Sequence, residues 1–260
     1  DHEVSIDTGT LSGEVMDDGV RLFKGIPYAA PPVGKLRWRA PARAESWQGA
    51  RSATEFGPIC PQTSGLAAMS GGVLPTTDED CLFLNVWTPA RSSDEELPVM
   101  VWIHGGALSL GWSNQSVYDG HEIANRGIVL VSINYRLGPL GFLAHPALTK
   151  EAGVSGNYGL LDQIAALQWI QRNIAAFGGD PDQVTIFGES AGGTSVLTLL
   201  SSPQSQGLVT RAIAQSPWFS EDNVAELTSA QAIGSAWTEA IAPGKDLTAL
   251  RQIPADDLVG

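Results

Sequence analysis

Apolar residues fall into two regimes along this chain. Up to about residue 98 they come in short alternating stretches, such as Val4-Ser5-Ile6-Asp7 and Leu82-Phe83-Leu84-Asn85-Val86-Trp87, set between segments rich in Pro and Gly. Period-two alternation predicts strands with one buried face, and the breaks predict long loops, so this portion is expected to supply edge strands. From Val99 the pattern changes. Val99-Met100-Val101-Trp102-Ile103 and Ile128-Val129-Leu130-Val131-Ser132-Ile133 are nearly unbroken apolar runs, the signature of strands buried on both faces.

Helical spacing follows in Leu160, Ile164, Leu167 and Ile174, with Gly178-Gly179 as a stop and Pro181 just beyond. Gln183 to Phe187 predicts a third buried strand, and Ala212 to Ser216 a fourth. Between them Val196, Leu197, Leu199 and Leu200 predict a helix. Buried strands alternating with helices imply right-handed crossovers and a mostly parallel, doubly wound α/β sheet, here with N-terminal antiparallel edge strands. The chain reads as part of one domain: strands and loops over 1–98, the sheet core over 99–220, and a helical segment over 221–260.

Composition narrows the function classes. Apolar residues make up 43% of the chain, ample for a core, and 15 basic against 28 acidic side chains give a formal charge of −13, a field that repels a phosphate backbone and argues against nucleic acid. No apolar run approaches a membrane span. The chain opens Asp1-His2-Glu3 rather than with Met and an apolar core, and so reads as processed or trimmed. Cys60 and Cys81 lie 21 positions apart, a spacing that suits neither a four-ligand zinc set nor a Cys-x-x-Cys pair. A single disulfide, which would close a loop worth about 3 kcal/mol, and two buried thiols both remain open on spacing alone. A disulfide would point to a secreted or periplasmic location rather than the cytoplasm. No cofactor or metal is expected.

Two motifs carry chemistry. Gly188-Glu189-Ser190-Ala191-Gly192 follows a buried strand and precedes an apolar helix, the context of a nucleophile elbow, in which glycines let a sharp turn hold a serine up and exposed. His104-Gly105-Gly106-Ala107 directly follows the Val99 to Ile103 run. Small residues there allow backbone N–H groups to approach a developing oxyanion, so Gly106, Ala107 and Ala191 are candidate donors around Ser190. Trp112, Trp218 and Phe219 are candidates for aromatic walls of a substrate pocket or, equally, for core packing. Glu189 is a candidate for a local negative field or for a buried hydrogen bond.

Together with Glu79-Asp80-Cys81-Leu82-Phe83-Leu84-Asn85-Val86, Asn134-Tyr135-Arg136 and Gly156-Asn157-Tyr158-Gly159-Leu160-Leu161-Asp162-Gln163, these motifs resemble the type-B carboxylesterases, the group of para-nitrobenzyl esterases and cholinesterases. The resemblance starts near Gly9-Thr10-Leu11-Ser12-Gly13, takes in Phe23 to Ala29, and reaches at least Ser216-Pro217. It implies an α/β-hydrolase fold, hydrolysis of small-molecule esters, a Cys60–Cys81 disulfide, Ser190 as nucleophile, and Gly106, Ala107 and Ala191 as oxyanion donors. Leu108 stands where the family often has an aromatic and Phe83 where it often has Tyr, which implies a wider pocket wall near the oxyanion loop.

A serine nucleophile needs a base, and the base needs a third group to hold it. The fold supplies them in the order Ser, acid, His, yet all four histidines, His2, His104, His121 and His145, precede Ser190. The carboxylates from Glu221 to Asp257 read as solvated positions on helices. Members of the family are about twice this length. The triad acid and histidine are therefore expected in a missing or separate C-terminal chain, with Pro243-Gly244-Lys245-Asp246 as a plausible exposed cleavage region, and the chain alone is expected to be inactive. The competing expectation is a catalytically silent, cholinesterase-like binding module.

Overall fold

The apolar runs become neighbouring strands. In a computed structural model, which describes residues 2–69, 73–218 and 224–259, the strands are β1 (Glu3–Ile6), β2 (Gly9–Ser12), β3 (Glu14–Val15), β4 (Arg21–Pro27), β5 (Ala50–Ser52), β6 (Phe83–Thr88), β7 (Leu97–Ile103), β8 (Val129–Ile133), β9 (Gly179–Glu189) and β10 (Arg211–Gln215). Seven of them form one sheet in the order β10-β9-β7-β8-β6-β4-β3, and β1-β2-β5 form a smaller one. In the large sheet β10, β9, β7 and β8 are parallel, while β6, β4 and β3 continue it antiparallel at the other end. This is the central sheet of an incomplete α/β-hydrolase.

Period two explains the continuous apolar runs. Val99, Val101 and Ile103 of β7 point into the main core with Val129, Val131, Ile133, Val184 and Ile186. Leu130 of β8 and the partly buried Met100 and Phe187 join Leu22, Trp87 and Ala124 in a separate cluster. Each run thus serves two cores, and no position in it can be polar without a partner.

The helices are α1 (Gly65–Met69), α2 (His121–Ala124), α3 (Gly138–Phe142), α4 (Pro146–Ala152), α5 (Tyr158–Asn173), α6 (Ala191–Ser201), α7 (Leu227–Ile241), α8 (Leu247–Leu250) and α9 (Ala255–Val259). Ile164, Leu167, Trp169 and Ile170 of α5 are buried in the main core. Leu160 is only partly buried. Gly178, at φ 81°, ends the following 3₁₀ turn at Ile174–Phe177 in a left-handed cap. Pro181 follows this stop as expected, and because β9 starts at once at Gly179 it lies inside the strand. Pro181 falls where the ladder with β7 is irregular, between Gly179 and Val184, so its missing N–H interrupts no regular pairing.

Asp162 of α5, fully buried, holds Arg136 by two side-chain bonds of 2.7 and 2.8 Å and a third from the Arg136 backbone at 3.0 Å. That pair ties the end of β8 to the helix leading back into β9. A further cluster, Trp38, Leu140, Leu143, Leu148, Tyr158, Leu250 and Leu258, joins α8 and α9 to the N-terminal loops. Arg37 reinforces it by pairing with Glu79 while donating to the Ile253 carbonyl at 2.6 Å. Cys60 and Cys81 are disulfide-bonded, with Cα atoms 5.0 Å apart. No helix among the described residues is long and apolar enough to cross a membrane.

Candidate active site

β9 delivers Ser190 to the carboxyl edge of the sheet, where α/β folds place their ligand sites. Its backbone sits at φ 56°, ψ −122° as the N-cap of α6, a region costly for a residue with a Cβ. The flanking glycines show why the turn tolerates nothing larger. A Cβ at Gly188 would lie 2.6 Å from the Gly192 carbonyl carbon and 2.7 Å from the Ile103 carbonyl oxygen, and one at Gly192 would overlap that same oxygen. The Ser190 N–H donates to the Gln215 carbonyl at 2.9 Å, and the Ser190 carbonyl accepts from Thr194 N–H at 2.9 Å. The elbow is therefore pinned from β10 on one side and from α6 on the other.

The loop after β7 closes over this turn. A Cβ on Gly105 would come within 2.7 Å of the Glu189 carbonyl and 3.2 Å of the Ser190 Cβ, so the loop and the elbow touch through backbone. Gly106 has φ 112°, and Ala107 and Leu108 follow at 55° and 57°. Two successive left-handed residues other than glycine are unusual. They fold the loop back so that the Gly106 carbonyl accepts from Ser109 and Leu110 at 3.0 and 2.8 Å. Among the described residues the backbone N–H groups of Gly106, Ala107 and Ala191 have no acceptor. Ala191 opens α6, where the helix dipole and the first free N–H groups favour negative charge.

Buried groups hold this loop from behind. His104 is fully buried, stacks on Tyr135 at 4.4 Å and directs Nδ1 to the Gly105 carbonyl at 2.8 Å. A carbonyl can only accept, so Nδ1 carries the proton, and the buried Nε2 has no partner among the described residues. Burial, partly offset by that bond, holds the imidazole down to about 4. The Tyr135 hydroxyl donates to the His104 carbonyl at 2.7 Å. Gln62, between the disulfide and the loop, donates to the carbonyls of Cys60 and Gly111 at 3.0 and 2.9 Å and accepts from Gly111 N–H at 2.7 Å.

The other candidates separate. Glu189 is exposed beside the elbow; burial first and the Glu189 charge second push the Tyr118 phenol up. Leu108 is half-buried against the main core, and its carbonyl accepts from Gly138 at 2.8 Å. Trp112 is buried with Ile59 and Ala67. Trp218 is 74% exposed, its backbone held at α6 by Thr194. Phe219 and Glu221 lie outside the described residues.

Of the remaining histidines, His121 pairs with Asp18 at 2.7 Å and His145 caps α4 through Nδ1. His2 is exposed near the N-terminus. Among the described residues no imidazole contacts Ser190, and no group of three metal-ligating side chains occurs. The cooperating residues outside the quoted motifs are Gln62, Thr194 and Gln215. No motif marks them, because the Gln62–Gly111, Thr194–Trp218 and Ser190–Gln215 bonds join groups 49, 24 and 25 positions apart.

The model of the carboxylesterase family matches residues 1–260. The chain belongs to that family. This carboxylesterase chain is 47% identical over 253 residues to a fumonisin B1 esterase of Sphingopyxis macrogoltabida, a match covering 96% of the chain and 45% of that protein. It is 51% identical over 214 residues to a para-nitrobenzyl esterase of Bacillus subtilis, covering 82% and 43%. A solved para-nitrobenzyl esterase structure superposes with a TM-score of 0.88 at 42% identity, covering all of this carboxylesterase chain and 53% of the other. The chain thus spans about half the length of the relatives it matches.

Proposed function

We propose that this chain is the nucleophile-bearing portion of a serine carboxylic-ester hydrolase. Ser190 attacks the carbonyl of a small-molecule ester, the N–H groups of Gly106, Ala107 and Ala191 stabilise the tetrahedral oxyanion, the ester's alcohol leaves as the acyl-enzyme forms, and water hydrolyses that acyl-enzyme to the carboxylic acid and free Ser190. The observation that carries this reading is the strained Ser190 turn at φ 56°, ψ −122° facing a loop whose N–H groups are free. A tight turn of purely structural use has no need of both.

The base is placed outside this chain. His104 commits its Nδ1 proton to Gly105 and buries Nε2, so it serves the oxyanion loop rather than Ser190. A C-terminal portion, joined or separate, supplies the triad acid and histidine and pairs with the free side of β10, whose single strand partner among the described residues is β9. Partly exposed Ile213 and exposed Leu200 are the apolar groups it would cover. Without that portion the chain is inactive. The exposed Pro243 to Asp246 turn between α7 and α8 is where a nick between two chains would fall. The Cys60–Cys81 disulfide favours an exported protein.

The test is intact mass spectrometry under denaturing conditions before and after fluorophosphonate treatment of the purified protein. A label on Ser190, with the C-terminal portion present, is expected. A protein that contains that portion and takes no label at Ser190 overturns the enzyme reading in favour of a silent binding module.

A further inference from the structure

The Gly106 N–H and the Gly105 carbonyl belong to one planar peptide unit, so whatever holds the carbonyl also aims the N–H. His104 Nδ1 donates to that carbonyl at 2.8 Å. Gly111 lies against the same group: a Cβ on Gly111 would overlap the Gly105 carbonyl oxygen and stand 2.5 Å from His104 Nδ1. Gly106 in turn has no room for a Cβ beside the Leu110 carbonyl. The first donor of the oxyanion loop therefore rests on the backbone of Leu110 and Gly111.

Gly111 is itself held by a side chain. The buried Gln62 amide accepts from the Gly111 N–H at 2.7 Å and donates to the Gly111 carbonyl at 2.9 Å, as the peptide groups of a neighbouring strand would. Among the described residues no other hydrogen bond reaches the Gly111 backbone. A third bond, to the Cys60 carbonyl at 3.0 Å, fixes the amide to a stretch of chain secured by the Cys60–Cys81 disulfide. Between Gly106 and Gly111 the loop contains two successive left-handed residues, Ala107 and Leu108. Such a conformation persists only where the surroundings over-determine it.

On these grounds, and resting on the esterase reading above, we infer that Gln62 is a positioning residue for the reaction. Its amide fixes Gly111, and through Gly111 it aims the N–H groups of Gly106 and Ala107 at the developing oxyanion. Gln62 itself touches no substrate. The carbonyl oxygen of a bound ester carries little charge until Ser190 attacks, so the aim of these donors matters most in the tetrahedral state. Losing the amide therefore lowers kcat and kcat/KM together and leaves KM nearly unchanged.

The test compares Gln62→Met and Gln62→Glu with the unmodified protein in its full-length form. Methionine matches the length of the side chain and removes all three bonds; glutamate keeps the acceptor for the Gly111 N–H and loses the donors. Fluorophosphonate labelling taken to completion counts working Ser190. For each protein kcat and KM are measured with p-nitrophenyl acetate, together with inhibition by a trifluoromethyl ketone, whose serine adduct carries an oxyanion. Hydrogen–deuterium exchange is followed in peptides covering residues 105–111. Gln62→Met is expected to speed exchange there and to lower kcat per working Ser190 by about tenfold to a hundredfold. KM is expected to stay within about threefold, and the ketone to weaken by about the same factor as kcat/KM. Gln62→Glu is expected to show the same split, and it carries the test if Gln62→Met does not fold.

A folded variant of lower stability that keeps kcat and ketone affinity would make Gln62 a structural filler and overturn the proposal, and so would a rise in KM alone. In either case an active unmodified protein leaves the esterase reading standing. An unmodified full-length protein that neither labels at Ser190 nor hydrolyses any ester would defeat that reading and the role of Gln62 with it.

Discussion

The strain at Ser190 can be measured by removing its cause. At φ 56°, ψ −122° a side chain with a Cβ costs about 1–3 kcal/mol, and glycine occupies the same region freely. Ser190→Ala keeps the Cβ and loses only the hydroxyl; Ser190→Gly loses both. Glycine also raises the entropy of the unfolded chain, which lowers stability by about 0.4–1 kcal/mol. The difference leaves Ser190→Gly about 1 kcal/mol more stable than Ser190→Ala. In a chain of this size that is about 2 °C in Tm, and it is best read as a difference in urea midpoint at constant m-value. The closed packing of the turn is what prevents the strain from relaxing, since Gly188 and Gly192 already lie against Ile103 and against each other. Both variants should fail to react with fluorophosphonate, so the stability gain accompanies complete loss of the nucleophile. A Ser190→Gly protein less stable than Ser190→Ala would refute the idea that the elbow stores energy, and the positive φ would then be an unstrained feature of the turn.

Gly192→Ala puts a Cβ into the Ile103 carbonyl, backbone against backbone, and should cost about 3 kcal/mol or more, or abolish folding; a soluble variant with an unaltered unfolding midpoint would contradict the packing described. Asp162→Asn leaves the Arg136 guanidinium buried without its counter-charge and should lower stability by about 3–5 kcal/mol, checked by urea unfolding. Burial holds the His104 imidazole down to about 4, against about 6.5 when exposed, so the unfolded chain takes up the proton first as pH falls. Stability from this site is therefore complete above pH ~6.5 and is lost progressively toward pH ~4, by about 3 kcal/mol in all; urea midpoints should fall over that window, and fall less in His104→Gln.

What the sequence reveals and what it conceals divide along the range of the contacts. The elbow is legible because its requirement is local: strand, glycine, serine, small residue, glycine, helix, within a dozen positions. The runs that become β7 and β8 are legible because both faces of a parallel sheet are buried, which leaves a contiguous apolar stretch. The start of β9 at Gly179 is not, since Pro181 normally bars a ladder, and only the irregular pairing between Gly179 and Val184 removes the objection. Gln62 holds Gly111 across 49 positions, and Thr194 holds Trp218 across 24. A polar side chain bonding a distant carbonyl leaves no periodicity and no motif. His104 makes the same point from the other side. An imidazole beside an oxyanion loop reads, by residue type, as a possible base. Its burial, its stacking on Tyr135 and its bond to Gly105 make it a neutral brace instead. The chemistry of a histidine is decided by what surrounds its two nitrogens, and both nitrogens of His104 are turned away from proton transfer at Ser190: Nδ1 is spent on the Gly105 carbonyl and Nε2 is buried.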